Sequence, residues 1–347
     1  MRKLRLLAAA PAALAALTGL TPPPQEEAAP AETAASPEAP EPDPAAPPEA
    51  PEAEPAAPLE ARAAEPRLPP AVAIEHFQSS GSDGTEVARA ALELGVGDSG
   101  DTRSIGLRIE RAGYNPSGRG WQSRDRIFLR GAGKLGSWQL RARVGTDGDS
   151  LIGSASLNDD SKFRKEFFVE RDIVETRQGL DRGLYSTFAG AAVDLPVDDR
   201  NVFTALAGVQ AFTGDNVRTH LRASYIHVLD PKIGLSAQLR GRWFRNSDPS
   251  EFDYYSPRWY AEILPVAQMR RFVRGWELVG AAGVGLQRDS GSDWRSSRYA
   301  HARFRSPPRS GWSLNGNMTY TNTPSVSGTP GSGYRYVQAT IGVSKRF

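Results

Sequence analysis

Residues 334–347 read YRYVQATIGVSKRF. Counted back in twos, Phe347, Val343, Ile341, Ala339 and Val337 share one face. Arg346, Ser344, Gly342, Thr340, Gln338, Tyr336 and Tyr334 share the other. A period of two is that of a strand with one apolar and one polar side. Lys345 interrupts the apolar face; at a membrane rim its amine can snorkel to the interface at small cost. Such a strand, ending on the aromatic Phe347, can close a membrane barrel or finish a soluble sandwich. Alternation alone fits both.

The chain upstream separates the two. From residue 71 onward no helical period stands out. About sixteen segments of roughly 8 to 15 residues are bounded by Gly, Asp, Asn, Pro or Ser, and a tilted strand needs about 9 to 11 residues to cross a membrane. Within 137–145, Trp138, Leu140, Ala142 and Val144 alternate with Gln139, Arg141 and Arg143. Within 233–243, Ile233, Leu235, Ala237, Leu239 and Trp243 alternate with polar residues that include Arg240 and Arg242. The longest connections, 114–122, 246–257 and 323–333, are the third, eleventh and fifteenth. The even-numbered connections are short. Long loops on one side and short turns on the other are the porin asymmetry, which a sandwich has no reason to show. Trp138, Trp276 and Trp312 each open a strand just after an inner-side turn, as indoles of an interfacial girdle would. We therefore expect an all-β, up-and-down antiparallel transmembrane barrel of about sixteen strands over residues 71–347, closed by the strand that ends at Phe347.

Residues 1–20 place Arg2, Lys3 and Arg5 before an apolar run too short to span a bilayer, the layout of an export signal. Residues 21–70 are almost all Pro, Ala and Glu, with eleven acidic and two basic residues. Such a segment buries too little apolar surface to offset its ordering entropy and is expected to be a disordered linker. It is either a solvated spacer or an acidic plug for a basic lumen. The 347-residue chain has no cysteine, which excludes disulfides, a lipid-anchored cysteine and thiol chemistry. Its net charge of +2 hides a separation: residues 1–70 sum to −6, so residues 71–347 carry +8. Export and the membrane pattern argue against nucleic acid as the partner of that positive charge.

The question becomes where the arginines point. Arg costs roughly 2–4 kcal/mol on the lipid face at the bilayer midplane, so charged positions belong in the lumen. Arg141, Arg143, Arg218, Arg222, Arg240, Arg242, Arg270, Arg303 and Arg305, with Glu262, fall on polar faces. They read as an arginine-lined path for anionic sugars or polyanions, or as an ion network that braces the barrel. Tyr254, Tyr255, Trp259 and Tyr260 read as outer-mouth aromatics, either an interfacial belt or a surface on which sugars stack. Catalysis finds no support. The histidines are scattered, and His220 with Ser224 falls on an inward face. The G-x-G-x-x-G match at Gly131–Gly136 reads as a hairpin turn with no helix after it to present amides to a phosphate. Asp147-Gly148-Asp149 reads as a turn before it reads as a calcium site. No enzyme activity, cofactor or resident metal is expected.

Three pieces, Glu175-Thr176-Arg177, the turn Phe212-Thr213-Gly214-Asp215-Asn216 and Tyr254-Tyr255-Ser256-Pro257, resemble the C-terminal barrel of exopolysaccharide export porins of the cellulose and poly-N-acetylglucosamine type. The resemblance covers roughly residues 170–347. It implies a sixteen-stranded barrel that passes a glycan and is inserted into outer-membrane lipid by the barrel-assembly machinery, which reads the last strand. Those exporters carry a periplasmic helical repeat array before the barrel. No 34-residue repeat is found here, so either a separate periplasmic export protein stands in for it or the secretion role has been lost. The alternative is a surface receptor, adhesin or structural barrel with an occluded lumen.

Overall fold

The structure, a computed structural model, describes residues 68–97, 103–116, 120–323 and 334–347. The expected leader and nearly all of the expected linker lie outside the described residues. Sixteen strands follow in order: β1 (Pro70–Gly81), β2 (Glu86–Val96), β3 (Ser104–Asn115), β4 (Gln122–Leu135), β5 (Trp138–Thr146), β6 (Leu151–Asp159), β7 (Lys165–Ile173), β8 (Tyr185–Pro196), β9 (Asn201–Phe212), β10 (Val217–Asp230), β11 (Leu235–Asn246), β12 (Trp259–Val273), β13 (Trp276–Asp289), β14 (Arg295–Arg305), β15 (Trp312–Thr321) and β16 (Tyr336–Arg346). Each pairs antiparallel with its neighbours in sequence, and β1 pairs with β16 to close the barrel. The closing register runs from Ala71 opposite Arg346 to Gly81 opposite Tyr336. One more bond, Phe347 N–H to the Pro70 carbonyl at 3.0 Å, extends that seam.

The period-two pattern is realised as two walls. Ile74, Leu92, Leu107, Leu129, Leu239 and Ile341 face outward and stay exposed; Ile74 and Leu129 are each 61% accessible. Arg108, Glu110, Arg126, Arg218, Gln238 and Thr340 face inward and are buried. A large apolar outer wall around a polar interior is the inverse of a soluble core and requires a hydrocarbon solvent. Lys345 lies outward at the rim. Its amine donates to the Ser310 carbonyl at 2.5 Å and sits 5.3 Å from the Trp312 ring.

Turn chemistry sorts the two ends. Arg274-Gly275 and Ser310-Gly311 both have positive φ at each residue (52° and 84°, 50° and 79°), the two-residue turn that matches strand twist. At Gly311 a Cβ would come within 2.3 Å of the Arg346 carbonyl oxygen, so only glycine fits beside the last strand. The long β11–β12 connection lies at the opposite end, as expected.

Two expectations need correction. The β7–β8 connection is as substantial as the long ones and contains a helix, α1 (Arg177–Arg182), where no helix was anticipated. Thr176 caps it, accepting from Gly179 N–H at 3.1 Å, and Gly183 ends it at φ 66°. At six residues it is too short to register as a period. The Gly131–Gly136 stretch is mostly strand rather than turn: β4 continues to Leu135, and only Gly136 lies in the connection.

Candidate luminal site

The inner wall divides into two chemically different halves. On β1 to β4 the inward arginines are matched by acids. Arg108 is a hub, donating to Glu75 (2.7 Å), Glu93 (2.8 Å) and Glu110 (2.7 Å). Arg126 bridges Glu110 (2.9 Å) and Asp172 (2.7 Å). These pairs connect strands across the wall, and each buried guanidinium has its acid. Arg141 and Arg143 on β5 are inward but form no ion pair among the described residues; Arg143 lies 5.0 Å from the Phe128 ring. Glu277 on β13 gathers Arg270 (2.8 Å), Arg303 (2.8 Å) and Arg305 (4.0 Å). Three of the nine arginines singled out from the sequence are therefore partners of one carboxylate.

β9 to β12 are different. Their inward positions include Arg218, Arg222, Arg240, Arg242 and Arg270 and one acid, Glu262. Register places Arg222 opposite Arg242, and Arg242 opposite Glu262. The Glu262 carboxylate is nevertheless held on its other side, by the hydroxyls of Ser297 and Thr323 (2.8 Å for the latter). Arg218 is 1% exposed and held at two of its nitrogens. Its Nε donates to Asn246 Oδ1 at 2.9 Å, and its Nη2 donates to the Tyr255 carbonyl. Arg240 spends two N–H groups on Gln238 Oε1 (3.0 and 2.8 Å) and lies 4.8 Å from the Tyr299 ring. Arg222 and Arg242 form no ion pair among the described residues. His220 and Ser224 also face the lumen; His220 Nε2 meets Gln210 Oε1 at 3.1 Å.

The mouth is built by α1 and the β11–β12 connection. Leu180 of α1 packs into a cluster with Val87, Tyr114, Phe128, Ile152 and Tyr185, so the helix sits inside the barrel opening. Glu175 pairs with Arg89 of β2, a contact that crosses five strands of the wall. Asp253 accepts from Thr176 Oγ1 (2.6 Å) and from Gln178 N–H (2.8 Å), tying the two connections together. Tyr254 stacks on Phe212 at 4.3 Å, and Asn216 donates to its hydroxyl at 3.0 Å. Glu251 accepts from the N–H groups of Asp215 (2.7 Å) and Asn216 (3.1 Å). Burial pushes the Tyr254 phenol up to about 12; donation from Asn216 opposes the shift, and the Glu251 carboxylate adds to it. The three pieces that carry the family resemblance, far apart in sequence, thus meet in one packed constellation.

That packing corrects the expected role of the mouth aromatics. Tyr254, Tyr255 and Tyr260 are buried, Tyr260 completely, so they offer no open face for a sugar and form no membrane belt. Tyr255 donates to Asp289 Oδ2 at 2.8 Å, and Tyr260 stacks on Phe244 at 4.9 Å. Trp259 alone of the four lies on an outward-facing position. The sequence places these residues beside a long loop; it does not show that the loop folds inward and uses them as its own core. Trp138, Trp276 and Trp312 begin β5, β13 and β15 at the short-turn end. The first two pack against the outward rings of Phe167 (5.8 Å) and Phe304 (6.2 Å). Asp147-Gly148-Asp149 is a turn, in which Asp147 accepts from Ser150 N–H (3.0 Å) and from the Tyr185 hydroxyl (2.9 Å).

These features define a closed sixteen-stranded transmembrane barrel of the bacterial outer-membrane type, with a polar, arginine-rich interior and an inward-folded mouth. A solved structure shares the fold. The chain superposes on a bacterial polysaccharide outer membrane secretin with a TM-score of 0.60 at 14% identity, covering 81% of this chain and 99% of that one. A loop-deletion mutant of OmpT, an outer membrane protein of Vibrio cholerae, gives a TM-score of 0.41 at 10% identity, covering 81% and 99%. An anion-selective porin from Comamonas acidovorans gives 0.38 at 11% identity, again covering 81% and 99%. No family model and no curated protein sequence matches the chain.

Proposed function

We propose that the protein is an outer-membrane pore that passes an extended, anionic glycan of the exopolysaccharide class. The observation that carries this reading is the β10–β11 wall: four inward arginines, Arg218, Arg222, Arg240 and Arg242, none of them ion-paired among the described residues, whose positive charge attracts a polyanion. The fold neighbour named as a polysaccharide secretin supports the same direction. In this reading Trp138, Trp276 and Trp312 anchor the barrel in lipid at the periplasmic interface. Chain delivery falls to a separate periplasmic export protein.

Planar-bilayer recording of the purified protein tests it. Anionic oligosaccharides added on one side should interrupt an open current, and neutral ones of equal length should not. A barrel that stays closed and responds to neither rejects the pore. The second reading, a surface receptor or structural barrel, draws on the inward-folded α1 and β11–β12 connection. It predicts that closed behaviour.

A further inference from the structure

The inner face of β10 and β11 holds polar atoms that no group among the described residues satisfies. Arg222 is 7% exposed, and its Nε and Nη1 are buried without an acceptor. Arg242 Nε, Arg240 Nη1 and Gln238 Nε2 are in the same condition. They belong to consecutive inward rungs: Arg222 faces Arg242, Ser224 faces Arg240, and Ile226 faces Gln238. Like charges directly opposite each other repel, and buried donors without acceptors are rare because each costs its full desolvation. Arg218 next along the strand shows the contrast, since its bonds are made by Asn246 and the Tyr255 carbonyl.

The geometry of the donors narrows the guest. The Arg242 guanidinium lies 5.4 Å from the Phe244 and Tyr260 rings, and that of Arg240 lies 4.8 Å from Tyr299. Ring contacts of this kind hold the guanidinium plane and leave its N–H edge free for a carboxylate. Gln238 adds an uncharged donor. Gln210 Oε1 can only accept, which puts the proton on His220 Nε2 and leaves the buried Nδ1, without a partner among the described residues, as an acceptor for a hydroxyl. Charged donors, a neutral donor and an acceptor over four rungs, on the order of 20 Å, match several units of a hydroxyl-bearing polymer better than a lone inorganic anion.

We propose that Arg222, Arg240 and Arg242, with Gln238 and His220, form a luminal subsite for the carboxylates of a uronic-acid-type glycan. This rests on the pore reading only for the route by which the chain arrives. Binding is therefore measured separately from conductance, by calorimetry on the full chain in detergent, with tetragalacturonate, cellotetraose and sulfate as probes. Tetragalacturonate should bind, cellotetraose should not, and sulfate should compete weakly. Arg222→Gln and Arg242→Gln should each weaken tetragalacturonate at least tenfold, while Arg111→Gln, on the outer surface, should leave it unchanged. Heat-modifiable gel mobility verifies folding of each variant. Should the glutamine variants fail to fold, Arg222→Lys should still show a loss, and affinity of the unaltered protein should fall with added salt. Unchanged affinity in the folded variants, equal affinity for cellotetraose or sulfate, or binding indifferent to salt overturns the subsite. A conducting barrel with any of those results keeps the pore and loses the site. A non-conducting barrel that binds through Arg222 and Arg242 keeps the site and loses the pore.

Discussion

Arg218 and Arg222 are four positions apart on β10, point the same way and do different work. Arg218 fixes the mouth connection by holding the Tyr255 carbonyl and Asn246. A lysine there keeps the charge but not the fork. We expect Arg218→Lys to cost about 2 kcal/mol in urea unfolding, the scale of hydrogen bonds to a charged donor. Faster hydrogen exchange over residues 247–258 should accompany it. Tyr254 gives a pH signature at the same place. Its phenol is held neutral up to about 12, against about 10 for an unfolded tyrosine. A pKa raised in the folded state contributes stability that is complete below pH 10 and is lost as pH rises through 12. Tyr254→Phe should remove that alkaline step from the loop's exchange profile. Parity in the sequence assigns both arginines to the lumen. Which one has partners depends on the rungs formed with β11 and on a loop that folds inward, and neither leaves a mark in local alternation.

At the scale of elements, α1 and the β11–β12 connection act as one unit because Asp253 of the connection bonds the start of the helix. It accepts from the helix cap Thr176 and from Gln178 N–H at the first turn. A helix of six residues has little stability of its own. Asp253→Ala should therefore release the helix for about 1–2 kcal/mol, the worth of a cap, without loosening the strands. The check is exchange mass spectrometry: residues 174–184 should lose protection while β9 and β10 keep theirs. Loss spread evenly over the barrel would show that the connection is not a separable element. The strands are legible from alternation and turn residues because each obeys a local rule. The helix is legible only in its punctuation, Thr176 before it and Gly183 after it. Its seat inside the barrel comes from Leu180 joining a cluster with Val87, Tyr114, Phe128, Ile152 and Tyr185 of five strands, a purely tertiary fact.

The whole molecule depends on one seam. Fifteen of the strand pairings join neighbours in sequence; the pairing of β1 with β16 joins the two ends of the described barrel. The period-two face of residues 334–347 says which side of β16 meets lipid but not which residue of β1 it faces, because a two-residue slip preserves the face. The structure fixes that choice with Ala73 opposite Ser344 and Ile74 opposite Val343. A chain without cysteine makes the register directly testable. Phe347 N–H bonds the Pro70 carbonyl, so by alternation along an antiparallel ladder Ala73 and Ser344 form a non-hydrogen-bonded pair. Their Cα atoms are then about 4.5 Å apart, within the reach of a disulfide. Ala73→Cys with Ser344→Cys should cross-link under mild oxidation and keep the barrel closed on a non-reducing gel after boiling. Ala73→Cys with Gly342→Cys, the partner a two-residue slip would bring opposite, should stay reduced. The reverse outcome would shift every inward residue of β1 along the seam. Glu75 would keep its place 2.7 Å from Arg108 in either case, because the β1–β2 and β2–β3 registers set that pair and the seam does not.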